Sequence, residues 1–277
     1  MRDGERPSVT IGTATVGGVR IAHYVRGAGP PALFIMGLGG RATDWNEAFL
    51  GAMAKRFEVI TFDNRGTGAS DRPTGEYTLE LMADEAVGVL DALSRPRAHV
   101  IGVSMGGMIA QLVALRHPER VDRLVLIATH GGGPHVVPPT PAALAVLTAD
   151  RSRPPAEVVR DSMSTITAPG FAARDPAAIE ALVALAEAQP TPLSVFGRQL
   201  AAIMASSRMA RLGDVTRPTL VVHGMEDPLV PPANGAALAR TIPGARLVEL
   251  PGCGHLPMWE CPARLVNVLS DFLSAPG

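Results

Sequence analysis

Three residues far apart along the chain have the types needed for nucleophilic catalysis: Ser104, Asp227 and His255. Ser104 sits at the centre of Gly102-Val103-Ser104-Met105-Gly106, between an apolar β-branched run (100–103) and a stretch with helical spacing (105–115). The pattern is strand, tight turn, helix, with a glycine two residues to either side of the serine, where a larger side chain would clash. Such a turn holds a hydroxyl exposed above the end of a sheet. It also points the Met105 amide, at the start of the helix, toward an oxygen bound beside the serine. A glycine-rich strand end packed under a helix would show the same five residues, so the reading depends on partners elsewhere.

A serine hydroxyl is a poor nucleophile at neutral pH. It needs a base within hydrogen-bond reach, and the base needs an acid that fixes its tautomer and supports the imidazolium that forms. In a parallel sheet those groups belong in loops after later strands, on the same carboxyl edge as the serine. Two loops qualify. One is His223-Gly224-Met225-Glu226-Asp227-Pro228 after the run 220–222, and the other is Pro251-Gly252-Cys253-Gly254-His255 after the run 247–250. His255, the histidine that follows the last strand, is taken as the base and Asp227 as its acid, while Glu226 should point the other way. His99, at a strand start, falls on the wrong edge, and His23, His117, His135 and His223 read as structural. His130 follows a strand on the correct edge, where lining the pocket and a structural role are both open.

A second backbone donor for an oxyanion is expected from Leu38, in Gly37-Leu38-Gly39-Gly40. This loop lacks the third glycine and the directly following helix of a dinucleotide-binding fingerprint. The substrate pocket is expected to be apolar, lined by Leu38, Met105, His130, Leu229 and Leu256.

The elements that must position these groups can be read from periodicity. Residues 8–13 and 19–25 alternate around Gly17-Gly18 as an opening hairpin. Runs at 31–36, 57–62, 100–103 and 121–128 read as buried strands. A helix is expected from Thr43 as N-cap through Trp45, Phe49 and Met53 to about Ala54, and another from Thr78 to about Leu93, with Leu81, Val87 and Leu90 on its apolar side. Strands alternating with helices give a parallel, doubly wound sheet. From His130 to about Gly213 no strand run appears, only helical stretches set off by prolines, at about 141–148, 155–166, 176–188 and 192–207. We therefore expect a core in two parts, 1–130 and 214–277, interrupted by a helical cap over 131–213. The core's second part holds strands at 218–222 and 245–250 and helices at 233–241 and 263–273.

With 277 residues, 47% of them hydrophobic, one large α/β unit is the default. The net charge of −1 gives no basic footprint for nucleic acid. Met1–Pro7 is charged and lacks the apolar core of a signal peptide, which favours a cytoplasmic protein. The uncharged run between Arg97 and Arg116 is about as long as a membrane span. Its His99, Ser104, Gln111 and glycines assign it instead to strand, turn and helix, so no membrane partner is expected. Cys253 and Cys261 are too few for a disulfide framework or a metal set and are expected as free thiols.

Taken together, Met36-Gly37-Leu38-Gly39, Asp63-x-Arg65-Gly66-x-Gly68-x-Ser70, Gly102-x-Ser104-x-Gly106-Gly107, Gly224-x-x-Asp227 and Gly254-His255 resemble the α/β-hydrolase superfamily over residues 19–273. Met36-Gly37 stands where its members usually carry His-Gly, a change that keeps the backbone donor. The resemblance implies an α/β-hydrolase fold with an inserted helical cap and no metal or cofactor. Similarity to its carboxylesterase, enol-lactonase and natural-product methylesterase groups implies cleavage of an ester, lactone or thioester of a hydrophobic small molecule. Ser104 separates the chain from the dehalogenases and epoxide hydrolases of this fold, which place aspartate there. A cofactor-free perhydrolase, a C–C bond hydrolase using the same three residues, and a non-catalytic small-molecule receptor are the alternatives.

Overall fold

The computed structural model describes residues 8–149 and 152–275; the charged stretch Met1–Pro7 lies outside them. The chain opens with the expected hairpin, β1 (Thr10–Val16) and β2 (Val19–Arg26), then enters β3 (Pro31–Ile35). A 3-10 turn at Ala42–Asp44 precedes α1 (Glu47–Met53). The helix therefore starts later than Thr43, because Asn46 is the residue whose side chain accepts from the Phe49 amide, at 3.0 Å. β4 (Glu58–Phe62) and α2 (Leu79–Ala92) follow. Thr78 caps α2 as expected, but Leu81 is 37% exposed and lies off its buried side. Next come β5 (Ala98–Val103), α3 (Met105–Arg116) and β6 (Val121–Ile127).

Between β6 and β7 the described residues form five α-helices, α4 (Pro141–Leu147), α5 (Pro155–Ile166), α6 (Phe171–Arg174), α7 (Pro176–Ala188) and α8 (Leu193–Ala205), and a 3-10 turn at Met209–Asp214. Four match the proline-delimited stretches, and the one-turn α6 is too short to leave a periodic signal. The sheet resumes with β7 (Thr219–Gly224), α9 (Ala233–Thr241), β8 (Arg246–Leu250), α10 (Pro257–Glu260) and α11 (Pro262–Leu273). Among the described residues no helix is long and apolar enough to cross a membrane.

The eight strands form one sheet in the order β1-β2-β4-β3-β5-β6-β7-β8, parallel from β4 onward and antiparallel at β1–β2 and β2–β4. Alternate residues feed two cores. Leu33 and Ile35 of β3 pack with α2 and α3, while Ala32 and Phe34 pack with α1 and α11 on the other face. The chain runs from β3 to β4 on one side, then returns to place β5 on the other side of β3. The loops after β3 and β5 therefore diverge and leave a crevice at the carboxyl edge, where ligands bind in open α/β sheets.

Candidate active site

Parallel pairing of Ile35 with Gly102 brings the end of β3 beside the end of β5. The next residues are therefore neighbours: a Cβ placed on Gly37 would stand 3.2 Å from Ser104 Cβ. Ser104 caps α3 with φ 55° and ψ −121°, a conformation strained for any side chain. The turn is so tight that a Cβ on Gly102 would lie 2.1 Å from the Gly106 carbonyl oxygen, and one on Gly106 would lie 2.0 Å from that of Ile35. Neighbouring strands anchor it. Ser104 N–H donates to Ile127 O at 2.9 Å, and Ser104 O accepts from Gly107 N–H at 2.9 Å and Thr129 Oγ1 at 2.7 Å.

The loops after β7 and β8 bring Asp227 and His255 together. Pairing of Gly224 with Leu250 sets both strand ends level, and His255 Nδ1 lies 2.8 Å from Asp227 Oδ2 with both side chains buried. The other carboxylate oxygen accepts from the Leu229 and Val230 amides at 2.9 Å each. Burial alone would raise this carboxyl. The charge of His255, hydrogen bonds from the His223 and His255 rings and the Val230 amide outweigh burial and bring it down to about 2. Asp227 is therefore ionised at neutral pH, and an ionised acceptor fixes the Nδ1–H tautomer, leaving Nε2 as the basic nitrogen. Glu226 turns away and accepts from the Gly252 amide.

Ser104 and His255 line the same cavity, of about 730 Å³. No hydrogen bond joins the serine hydroxyl to the ring among the described residues; in serine catalysis that bond often tightens only around substrate. Leu38, Leu229, Leu256 and His130 are also in the wall, roofed by Leu144, Val158, Met163, Leu182, Phe196 and Ile203 of the α4–α8 segment. The charged groups reaching this wall are already paired: Arg41 with Asp44 at 2.6 Å, and Arg153 with Glu157 and Asp161 at 3.0 and 2.9 Å. Met105 departs from expectation. Its side chain is fully buried in the core under the sheet and does not line the cavity, because the turn projects residue 104 outward and the next one inward.

His130 lies in the cavity wall, with Nδ1 accepting from the Gly132 amide at 3.0 Å. Burial, then the charges of Arg208, His255 and His223, lower it to about 4. Of the other histidines, His99 is buried edge-on to Phe57, and His117 pairs with Asp84 at 2.8 Å. Cys253 and Cys261, expected as free thiols, are instead joined as a disulfide. The chain between them, which carries His255, turns back into α10 and brings their Cα atoms to 6.6 Å. Among the described residues no group of three or more His, Cys, Asp or Glu side chains is placed to hold a metal ion.

Several buried polar residues around the site carried no sequence signal. Arg208 is 2% exposed, donating to Gln111 Oε1 at 3.2 Å and Ser206 Oγ at 2.5 Å, and burial lowers it to about 10. Gln199 of α8 is fully buried against the loop after β3. His223, which the sequence marks only as structural, lies beneath Asp227.

The sequence matches the family model for the alpha/beta hydrolase fold over residues 30–262. The 2-hydroxymuconate semialdehyde hydrolase of Pseudomonas sp. (strain CF600) is 32% identical over 273 residues, covering 93% of this chain and 91% of that protein. Among solved structures, the enol-lactonase from Burkholderia xenovorans LB400 superposes with a TM-score of 0.84 at 26% identity, covering 95% of this chain and all of that one (100%). A thermophilic esterase from Thermogutta terrifontis superposes with a TM-score of 0.78 at 28% identity, covering 95% and 98% of the two chains. With its eight-stranded sheet, its strained serine turn and a match that spans most of its length, the chain belongs to the α/β-hydrolase family.

Proposed function

We propose that the chain is a serine hydrolase that cleaves a carboxylic ester, lactone or thioester of a hydrophobic small molecule through an acyl-enzyme on Ser104. The observation that carries this reading is the buried, ionised Asp227 holding His255 by Nδ1 at the wall of the cavity that Ser104 also lines. In this reading residues 131–213 act as a cap over a core formed by 1–130 and 214–277. The apolar wall and the already paired charges suit an uncharged substrate. Similarity to an enol-lactonase and an esterase supports the same bond class.

His255 Nε2 takes the Ser104 proton as Oγ attacks the carbonyl carbon. The oxyanion that forms is stabilised by the amides of Leu38 and Met105. Collapse breaks the bond to the leaving oxygen or sulfur, which receives the proton from Nε2. Water then gives a proton to Nε2 as it attacks the acyl carbon, and Ser104 departs with that proton restored. Asp227 stays ionised throughout.

The test is a series of p-nitrophenyl esters from acetate to octanoate. We expect kcat/KM to rise with acyl length and to vanish in Ser104→Ala; activity on acetate alone would contradict the substrate class. One relationship favours a second reading, because the named substrate of the Pseudomonas relative is a semialdehyde rather than an ester. Cleavage of a vinylogous diketone in preference to every ester would place the same three residues in C–C bond hydrolysis.

A further inference from the structure

The loop that carries Leu38 is held from two sides, and only one of them belongs to the sheet. On the sheet side, Asn64 Nδ2 donates to Met36 O at 2.9 Å, and Gly40 N–H donates to Gly37 O at 3.1 Å. On the other side, both backbone groups of Gly39 are taken by side chains from the helical segment. Gly39 N–H donates to Gln199 Oε1 at 2.8 Å, and Gly39 O accepts from Thr191 Oγ1 at 2.7 Å. Gln199 Nε2 also donates to Arg65 O at 3.1 Å, so one amide bridges the loops after β3 and β4.

These bonds determine where the Leu38 N–H points. In a trans peptide the N–H is opposite the preceding carbonyl. The Gly37 carbonyl is turned inward to Gly40, so the Leu38 N–H is directed out of the turn. The second plane beside Leu38 is the Leu38–Gly39 peptide, and its N–H is the one Gln199 holds. Gly39 itself has φ +69°, a conformation that glycine leaves readily unless something fixes it. Gln199 is fully buried on a helix face whose other inward residues include Val195, Phe196 and Ala202. Packing alone would be served there by an apolar side chain, which has no desolvation cost.

We propose that Gln199 and Thr191 are positioning residues that align the Leu38 amide, so that the oxyanion-binding pair is complete only when the helical segment is seated on the sheet edge. Substrate entry that displaces α8 takes apart the donor loop, and closure over the substrate restores it. The proposal rests on the serine-hydrolase reading above and adds a dependence that the reading does not require.

The experiment compares wild type, Ser104→Ala, Gln199→Met, Thr191→Val and Thr191→Ser. It measures kcat and KM on a medium-chain p-nitrophenyl ester and inhibition by the matching alkyl trifluoromethyl ketone, whose adduct carries an oxyanion. Loss of a whole donor costs about 100- to 1,000-fold in kcat, so a misaligned one in Gln199→Met is expected to cost about 10- to 100-fold. KM should change less than about threefold, and the ketone should weaken by the same factor as kcat/KM. Thr191→Val should lose about fivefold in kcat, and Thr191→Ser, which keeps the hydroxyl, should recover it. If Gln199→Met does not fold, the Thr191 pair decides. A kcat within about threefold of wild type in Gln199→Met, a loss confined to KM, or a Thr191→Ser no better than Thr191→Val would overturn the inference while leaving the hydrolase reading intact. A wild type without Ser104-dependent turnover would overturn the hydrolase reading, and this inference with it.

Discussion

The ring of His223 stands 3.5 Å from the same Asp227 oxygen that holds His255, and its Nε2 lies 2.7 Å from the Val230 carbonyl oxygen. A carbonyl only accepts, so His223 Nε2 carries a hydrogen, and the positive end of that N–H bond faces the carboxylate as well. His223 therefore braces the acid from below while tying down the loop that supplies two further amides to it. His223→Phe should lower kcat about tenfold and cost about 1–3 kcal/mol in stability, because the Val230 carbonyl is left buried without its donor. Paired kinetics and urea unfolding check both numbers.

Asp227→Asn separates charge from shape. The asparagine oxygen can still accept the Leu229 and Val230 amides, so the fold should persist. Its neutral amide cannot support the imidazolium or enforce the Nδ1–H tautomer, and kcat should fall by about 10⁴. A circular dichroism melt beside single-turnover ester hydrolysis measures the two effects separately.

Two groups at the site, His130 and Asp227, make stability depend on acid in different windows. His130 is lowered from 6.5 to about 4 in the folded protein, so its contribution is full above pH 6.5 and is lost as pH falls toward 4. Allowing for partial exposure, that loss is about 2 kcal/mol. Asp227 is lowered from 3.8 to about 2, so its contribution is present above pH 3.8 and disappears as pH falls toward 2. In melts across pH, His130→Gln should reduce the first decline, which is shared by buried His23 and His99, both also lowered by burial, and should leave the second. A first decline unchanged in His130→Gln would assign it to another group.

Ser104 occupies φ 55° and ψ −121°. Glycine reaches that region without penalty, whereas residues with a Cβ are strained there by about 1–3 kcal/mol. Ser104→Gly should therefore be more stable than Ser104→Ala by about 1 kcal/mol while both are inactive, a stabilisation by removal of a working residue. Thermal unfolding of the two variants side by side provides the comparison.

The parts legible in the sequence are those set by short-range rules. The glycines around Ser104, the β-branched runs and the prolines that open α4, α5 and α7 act within a few residues, and the structure has these elements where the sequence places them. Asp63, at the head of one such glycine-containing motif, anchors the loop after β4, accepting from the Ala42 and Ala69 amides and from Tyr24. The misses arise from long-range contacts. Gln199 looks like any polar residue on a helix until α8 is docked 160 positions from its partner in sequence. Arg208 gives no hint that it will be buried. Met105 is apolar beside a pocket-forming serine, and only the direction of the turn shows that its side chain enters the core while its amide remains at the site. The Cys253–Cys261 pair depends on how tightly the chain turns after His255, which composition does not encode.

Treatment with a fluorophosphonate followed by peptide mapping tests the central claim most directly, because this reagent phosphonylates a serine only where a base has activated it. The account predicts one adduct per chain, on Ser104, absent from Ser104→Ala and formed far more slowly in Asp227→Asn. An adduct on another residue, or labelling that persists in Ser104→Ala, would contradict it.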